Sequence, residues 1–346
     1  MSLIVDIKKD FGGFVLDVDL ALTEGITSLL GASGCGKSTT LKCIAGIEKP
    51  DSGHIELNGR VLFDSQSGVN LPPQQRNVGY LFQNYALFPN MTVRQNVLCG
   101  LRREKNRAVR AEKLAAVLDM MQLTGLENHK PAQLSGGQQQ RAALARILVS
   151  EPELLMLDEP FSALDGHLRD SLKIELRDRL RSYGKAVLMV THDRDEAYNM
   201  SERIGVMDAG RLLTLKPTKE LFADPGSVQA ARITGCKNIA AARKTGAHTA
   251  FVPEWGIELT TAHELRDDLK AVGLRAHYFH PSARQNSFAV TFAEEMEEPF
   301  ETILQFRYAS QDETSPAVWW RLSKEKRPQP FPEALGIAPV NVLPLY

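Results

Sequence analysis

Residues 31–38 read Gly-Ala-Ser-Gly-Cys-Gly-Lys-Ser and stand between an apolar run, Ile26–Leu30, and a helix-forming stretch, Lys37–Ala45. This stretch constrains the fold more than any other, because the full G-x-x-x-x-G-K-S pattern works only where a strand ends at a helix N-terminus. Glycines let backbone N–H groups turn inward around phosphate oxygens, and the helix start adds partial positive charge. At that spacing Lys37 reaches the outer phosphates of a nucleoside triphosphate, and the Ser38 hydroxyl can ligate Mg2+. A glycine turn that merely opens a helix would require neither a lysine nor a hydroxyl there.

Residues 154–160, Leu-Leu-Met-Leu-Asp-Glu-Pro, form an apolar run ending in two carboxylates. A buried strand here delivers Asp158 to the phosphate site to help hold Mg2+ and turns Glu159 toward an attacking water as general base. Taken alone, the run also reads as a strand ending in a solvated acidic turn. Leu134-Ser135-Gly136-Gly137-Gln138 precedes a helical stretch through Val149. Ser135 and Gln138 fit a capping box, each side chain satisfying a free N–H. The box leaves Gly136-Gly137 unexplained, and close approach of backbone to an anion would account for them. His192 follows the apolar run 186–190 and precedes Asp193 and Glu196, another helix-start pattern; Gln83 follows a short strand over 77–81. A thiol at a helix N-terminus is expected to have a lowered pKa, so Cys35 is expected to be reactive and shielded by nucleotide.

Over residues 1–234 apolar runs alternate with helical patterns, which implies a mostly parallel sheet covered by helices. Asn58-Gly59 between 55–57 and 61–63 marks a hairpin. Residues 111–123 carry Leu114, Val117, Leu118 and Met121 at helical spacing, a core-facing stripe. From 235 to 346 short apolar stretches such as 274–279, 288–292 and 318–322 are broken by Pro, Gly and charge, which reads as a second, β-rich domain. With 41 Lys and Arg against 42 Asp and Glu, charge gives no case for nucleic acid as a partner. No run approaches the ~20 apolar residues of a membrane span. Lys8, Lys9 and Asp10 interrupt the start before a signal-peptide core forms. Cys35, Cys43, Cys99 and Cys236 lie far apart without CxxC spacing, which points to a reducing, cytoplasmic compartment.

Together and in this order, the motifs over about residues 1–230 resemble the nucleotide-binding domain of ABC transporters. Phe82-Gln83-Asn84-Tyr85-Ala86-Leu87-Phe88-Pro89 resembles the glutamine loop, and Leu134 to Gln138, continuing Gln139-Gln140-Arg141-Ala142, resembles the signature. Asp158 and Glu159 resemble the Walker B pair, Ser162-Ala163-Leu164-Asp165 the loop after it, and His192 the switch histidine. The resemblance implies an α/β P-loop NTPase, an ABC ATPase domain with a helical subdomain at about 85–150, followed by a small β-rich OB-like domain of TOBE/MOP type. It implies that Gly31, Ala32, Ser33, Gly34, Cys35, Gly36, Lys37, Ser38 and Thr39 bind ATP, with Asp165 added to that set. Ser38, Gln83 and Asp158 would serve Mg2+, and Glu159, His192 and Gln83 would form the catalytic set. Two copies would pair head to tail, so that Ser135, Gly136, Gly137 and Gln138 of one contact the γ-phosphate bound by the other. An aromatic upstream of residue 31 stacks on adenine in this family; Phe11 is the choice and Phe14 the alternative.

A separate ATPase chain with a C-terminal β domain resembles importers. Residues 58–64, 70–73 and 76–80 look most like molybdate-importer subunits, with parts shared by sulfate, iron and sugar relatives. The resemblance implies an ATPase powering uptake of an oxyanion, molybdate, through an integral membrane permease supplied by an extracytoplasmic binding protein. The chain would sit peripherally on the cytoplasmic face of the membrane. Sulfate, iron, sugar or polyamine are the alternative cargoes, and a soluble non-transport ABC ATPase is a further alternative. Ser282-Ala283-Arg284-Gln285-Asn286 resembles a molybdate-binding stretch, the other reading being a polar loop on a regulatory domain.

Overall fold

The computed structural model describes residues 2–162, 166–312 and 314–346, with backbone alone for 166–172. The chain divides into two compact units, Met1–Thr218 and Lys219–Tyr346. In the first, the strands are β1 (Leu3–Asp10), β2 (Val15–Leu22), β3 (Ile26–Leu30), β4 (Ser52–Leu57), β5 (Arg60–Asp64), β6 (Val69–Asn70), β7 (Val78–Leu81), β8 (Leu154–Asp158), β9 (Ala186–Thr191), β10 (Arg203–Asp208) and β11 (Arg211–Pro217). Its helices are α1 (Lys37–Ala45), α2 (Val93–Leu98), α3 (Arg107–Met120), α4 (Gly136–Leu148), α5 (Gly166–Tyr183) and α6 (Arg194–Met200).

Among the described residues these strands form one 11-stranded sheet in the order β6-β5-β4-β1-β2-β11-β10-β3-β9-β8-β7. The centre, β10-β3-β9-β8-β7, is parallel. Strands β3, β8 and β9 are buried at every residue, as continuous Val/Leu/Ile/Met runs with both faces covered should be. Period-two geometry sorts their side chains into two cores. Leu155 and Leu157 join Leu114, Val117 and Ala143 on one face. Leu154 and Met156 join Leu41, Ile44, Val5 and Val18 on the other. The sheet is less parallel than the sequence pattern implies. Its wing β1-β2, β1-β4 and β4-β5 is antiparallel, since short turns such as Asn58-Gly59 leave no room for a crossover. Both turn residues have positive φ, 54° and 79°, the geometry of a tight hairpin.

The second unit carries α7 (Thr218–Ala223), α8 (Val228–Ile233) and strands β12 (Asn238–Ala241), β13 (Arg243–Gly246), β14 (Thr249–Val252), β15 (Ile257–Thr260), β16 (Ala271–Leu274), β17 (Phe288–Glu297), β18 (Glu301–Tyr308), β19 (Val318–Ser323), β20 (Ala334–Leu335) and β21 (Val342–Leu345). They make three small sheets, β12-β16-β21, β13-β14-β15 and β19-β18-β17-β20. The unit starts ahead of the change in sequence texture at residue 235, because α8 packs with it. Ala231 of α8 lies with Cys236, Ala271, Leu343 and Leu345, and the Arg275 guanidinium donates to the Thr234 and Phe222 carbonyls at 2.8 Å each. Trp255, Phe279, Phe306, Tyr308 and Trp320 fill the main core. The apolar run 274–279 is not a strand: β16 stops at Leu274 and a 3-10 turn covers Ala276–Tyr278.

Candidate functional site

Strand β3 delivers the loop 31–36 to the start of α1. Gly34 has φ 81° and open space where a side chain would be, and Gly36, at φ 105°, would drive a Cβ to 2.7 Å from Leu16. Only glycine serves at both positions. The Lys37 ammonium is buried and donates to the Gly31 and Ala32 carbonyls at 2.8 Å each, holding its charge at the loop. Ala32, Ser33 and Gly34 are exposed, and Ser38 and Thr39 half-buried. Cys35 is a correction. It is 6% exposed, and burial pushes its thiol up despite the neighbouring Lys37. The thiol is raised rather than lowered because desolvation outweighs the pull of Lys37.

At the end of β8, Asp158 accepts from the Ser38 hydroxyl on Oδ1 and from the Tyr80 phenol on Oδ2, both at 2.7 Å. A hydroxyl and a carboxylate at this separation are the hard oxygen donors that Mg2+ takes with few protein ligands, so the residues fit the metal. One residue on, Glu159 has φ 45°, an unusual conformation for a side chain with a Cβ. Its Oε1 meets His192 Nδ1 at 3.1 Å. A carboxylate acceptor places the proton on Nδ1. The pair borders a cavity of about 90 Å3 also lined by Ser162, Thr191 and Glu196, room enough for water. Asp193 caps α6 by accepting from the Asp195 and Glu196 N–H groups.

Gln83 is exposed on the turn after β7. That turn is held from behind. Tyr85 and Ala86 both have positive φ, and Arg146 of α4 donates to their carbonyls at 3.1 and 2.8 Å. The buried Asn96 accepts from the Phe88 N–H and donates to the Phe88, Met91 and Thr92 carbonyls. Ser135 and Gln138 form the expected capping box on α4, with Gly136 and Gly137 as its first helical residues. Gln140, one helical step further, donates to the Pro160 carbonyl at 2.9 Å and so ties α4 to the end of β8. The Ser135 and Gln138 side chains each accept from the other's backbone N–H, and the Ser135 carbonyl accepts from Gln139.

Phe11 is exposed with the Lys9 ammonium 5.1 Å from its ring. Phe14 is partly buried against the core and reaches the position a Gly36 Cβ would occupy. Phe11 is the more exposed of the two rings, whose centroids lie 6.2 Å apart. Asp165 lies outside the described residues. In the second unit, the Asn286 amide accepts from the Thr260 N–H and donates to the Thr260 and Ile337 carbonyls. Ser282 pairs with His280 at 2.7 Å. Residues 282–286 therefore spend two of their polar side chains on closing a turn.

Sequence reasoning passed over Tyr80, Arg76, Asn96 and Arg146. Arg76 is almost fully buried and donates to the Cys43 and Ile44 carbonyls at the end of α1, and to Leu71 and Asn70. Arg76 and Tyr80 stood within the segment 76–80 that carried the importer resemblance, and their polar groups amid apolar neighbours were the available signal.

A family model described as ABC transporter matches residues 15–162. The spermidine/putrescine import ATP-binding protein PotA of Methylococcus capsulatus is 46% identical over 244 residues, 69% of this chain and 62% of its own length. The sulfate/thiosulfate import ATP-binding protein CysA 2 of Chromobacterium violaceum is 43% identical over 262 residues, 75% of this chain and 69% of its own. Among solved structures, the dimeric post-hydrolysis state of the ATP-binding cassette MJ0796 bound to ADP and Pi is 29% identical with a TM-score of 0.53. It covers 63% of this chain and 99% of its own. With 43% identity across more than two thirds of an import ATP-binding protein, and with a match to the ABC transporter family model over the phosphate loop and acid pair, this chain belongs to the ABC transporter ATP-binding family, a family of ATPases.

Proposed function

We propose that this chain hydrolyses ATP to ADP and phosphate as the energy-supplying subunit of an importer, each site being built from two copies. The observation that carries the reading is the Glu159–His192 pair at 3.1 Å, one residue beyond the Asp158–Ser38 pair at 2.7 Å. The loop 31–39 cradles the phosphates with its N–H groups, Lys37 supplies positive charge, and Phe11 stacks on adenine. Ser38, Asp158 and Gln83 would hold Mg2+, which would supply positive charge against that of the phosphates. Glu159 takes a proton from water, whose oxygen attacks the γ-phosphorus. The bond to the β–γ bridging oxygen breaks, and its electron pair leaves on ADP. His192, held through Nδ1, donates from Nε2 to the γ-phosphate in its doubly protonated form. Ser135 and the N–H groups of Gly137 and Gln138 at the start of α4 come from the second copy.

Glu159→Gln tests this directly. ATPase turnover is expected to fall at least a hundredfold while ATP binding persists and a dimer accumulates by light scattering; near wild-type turnover would overturn the assignment of Glu159.

The groove of about 670 Å3 beside the glutamine turn, lined by Tyr80, Phe82, Ala86, Phe88, Met91 and Arg146, is the surface we assign to a membrane permease. Such a chain would sit peripherally on the cytoplasmic face; among the described residues no helix is long and apolar enough to cross a membrane. The molybdate expectation gives way to polyamine or sulfate as cargo, the classes in the names of the relatives above. Reconstitution with the permease, comparing ATPase stimulation by binding protein loaded with spermidine, sulfate or molybdate, distinguishes them. The second unit is assigned a regulatory role rather than oxyanion binding through 282–286. Heat on titrating molybdate into the full chain, abolished by Arg284→Ala, would reverse that assignment.

A further inference from the structure

We propose that Tyr80 is a positioning residue for the metal site, its phenol fixing the Asp158 carboxylate so that the remaining lone pairs of Asp158 face the cation held with Ser38. The inference rests on the ATPase reading and adds a residue to it.

Asp158 is 7% exposed and its two oxygens are used differently. Oδ1 accepts from Ser38, the hydroxyl that would hold the metal; Oδ2 accepts from Tyr80 at 2.7 Å. A carboxylate bonded through one oxygen can swing about its Cβ–Cγ bond, whereas one tethered through both cannot. Tyr80 reaches it from β7, the strand that pairs in parallel register with β8 through Tyr80 and Met156. Its ring is fixed in turn against Phe82, 4.5 Å between centroids. The hydroxyl therefore has one direction to point and one acceptor to serve. Groups that orient a metal-holding carboxylate typically contribute 10–100-fold to metal affinity. Ser38 and Asp158 would ligate without Tyr80, but more loosely.

Tyr80→Phe keeps the ring and removes the donor. Affinity for a fluorescent ATP analogue is measured in EDTA and across a Mg2+ titration, with Mn2+ binding to the nucleotide complex followed by EPR. In EDTA the variant is expected to bind as wild type does. The Mg2+ and Mn2+ midpoints are expected to rise about tenfold. Tyr183→Phe removes a phenol elsewhere in the same unit, one that donates to the Pro152 carbonyl at 2.7 Å; it is expected to lower thermal stability and leave both midpoints within about twofold of wild type. Tyr80→Phe midpoints that coincide with wild type, or a Tyr183→Phe shift of equal size, would overturn the proposal. A wild-type chain whose ATP affinity ignores Mg2+ would overturn the ATPase reading itself and this inference with it.

Discussion

Glu159 holds a left-handed backbone conformation at φ 45°, which for a residue with a Cβ costs about 1–3 kcal/mol. Its N–H donates to the Val190 carbonyl of β9 and its own carbonyl accepts from Ser162, and these bonds hold it there. The turn aims the carboxylate at His192 rather than along β8. Asp158 and Glu159 were legible in sequence because an apolar run ending in two acids has few readings. The twist that separates their duties was not, since it depends on bonds to residues from β9. A second residue-scale feature lies far from this site. His54 of β4 faces Asp64 of β5 in register and meets it at 2.9 Å, with Glu56 at 3.4 Å. The hydrogen bond to Asp64 leads in raising the imidazole pKa above 6.5. Asp64 falls to about 2, held chiefly by the Ser67 backbone N–H and then by His54. The raised histidine contributes fully below its unfolded pKa near 6.5 and loses that contribution as pH rises through its folded value. The depressed aspartate contributes above about 4 and loses it as pH falls toward 2. The pair is therefore complete at about pH 4–6.5. An NMR titration should place the His54 midpoint above 6.5, and Asp64→Asn should lower it; an unchanged midpoint in that variant would refute the coupling.

At the scale of elements, α1 presents its N-terminus to the phosphate loop and its C-terminus to Arg76. That guanidinium closes two end carbonyls of the helix, Cys43 and Ile44, and puts a cation where the helix dipole is negative. Gly46 follows with φ 77°, and a Cβ there would meet Arg76 Nε at 2.4 Å. Arg76→Ala takes this donor from the Ile44 carbonyl, leaves the Cys43 carbonyl with the Gly46 N–H alone, and opens a void. Charged hydrogen bonds of this kind contribute roughly 1.5–3 kcal/mol, so a loss of about 3 kcal/mol is expected. For a unit of this size that lowers the thermal midpoint by roughly 6–12 °C; a fall under about 2 °C by calorimetry would show the helix end to be satisfied otherwise. Local signals gave α1, α4 and the Asn58-Gly59 hairpin their places in sequence, because turn chemistry, caps and periodicity are short-range. Arg76 reads as a surface residue by type, and only the fold brings it under a helix more than 30 positions earlier, as Asn96 is brought under the glutamine turn.

On the scale of the whole molecule, two sets of groups stand on different elements of the first unit. The loop, Asp158 and Glu159 gather where β3, β8 and β9 end; Ser135 and Gln138 close the start of α4 and bond to one another. Residues 134–138 announced their specificity in sequence, yet their capping box explains their local structure without reference to phosphate. The exposed helix start is open to a partner, and under the proposed two-copy site a second copy in two-fold arrangement would supply it. Mixing variants tests this. Lys37→Ala disables the loop and Ser135→Arg blocks the helix start, so each homodimer is expected to be inactive. In a mixed dimer one site joins both lesions and the other joins neither. Random pairing makes half the dimers mixed with one intact site of two, so about a quarter of wild-type ATPase should return on mixing. Sites contained within a single chain would give no recovery at any mixing ratio, because every chain would carry one lesion.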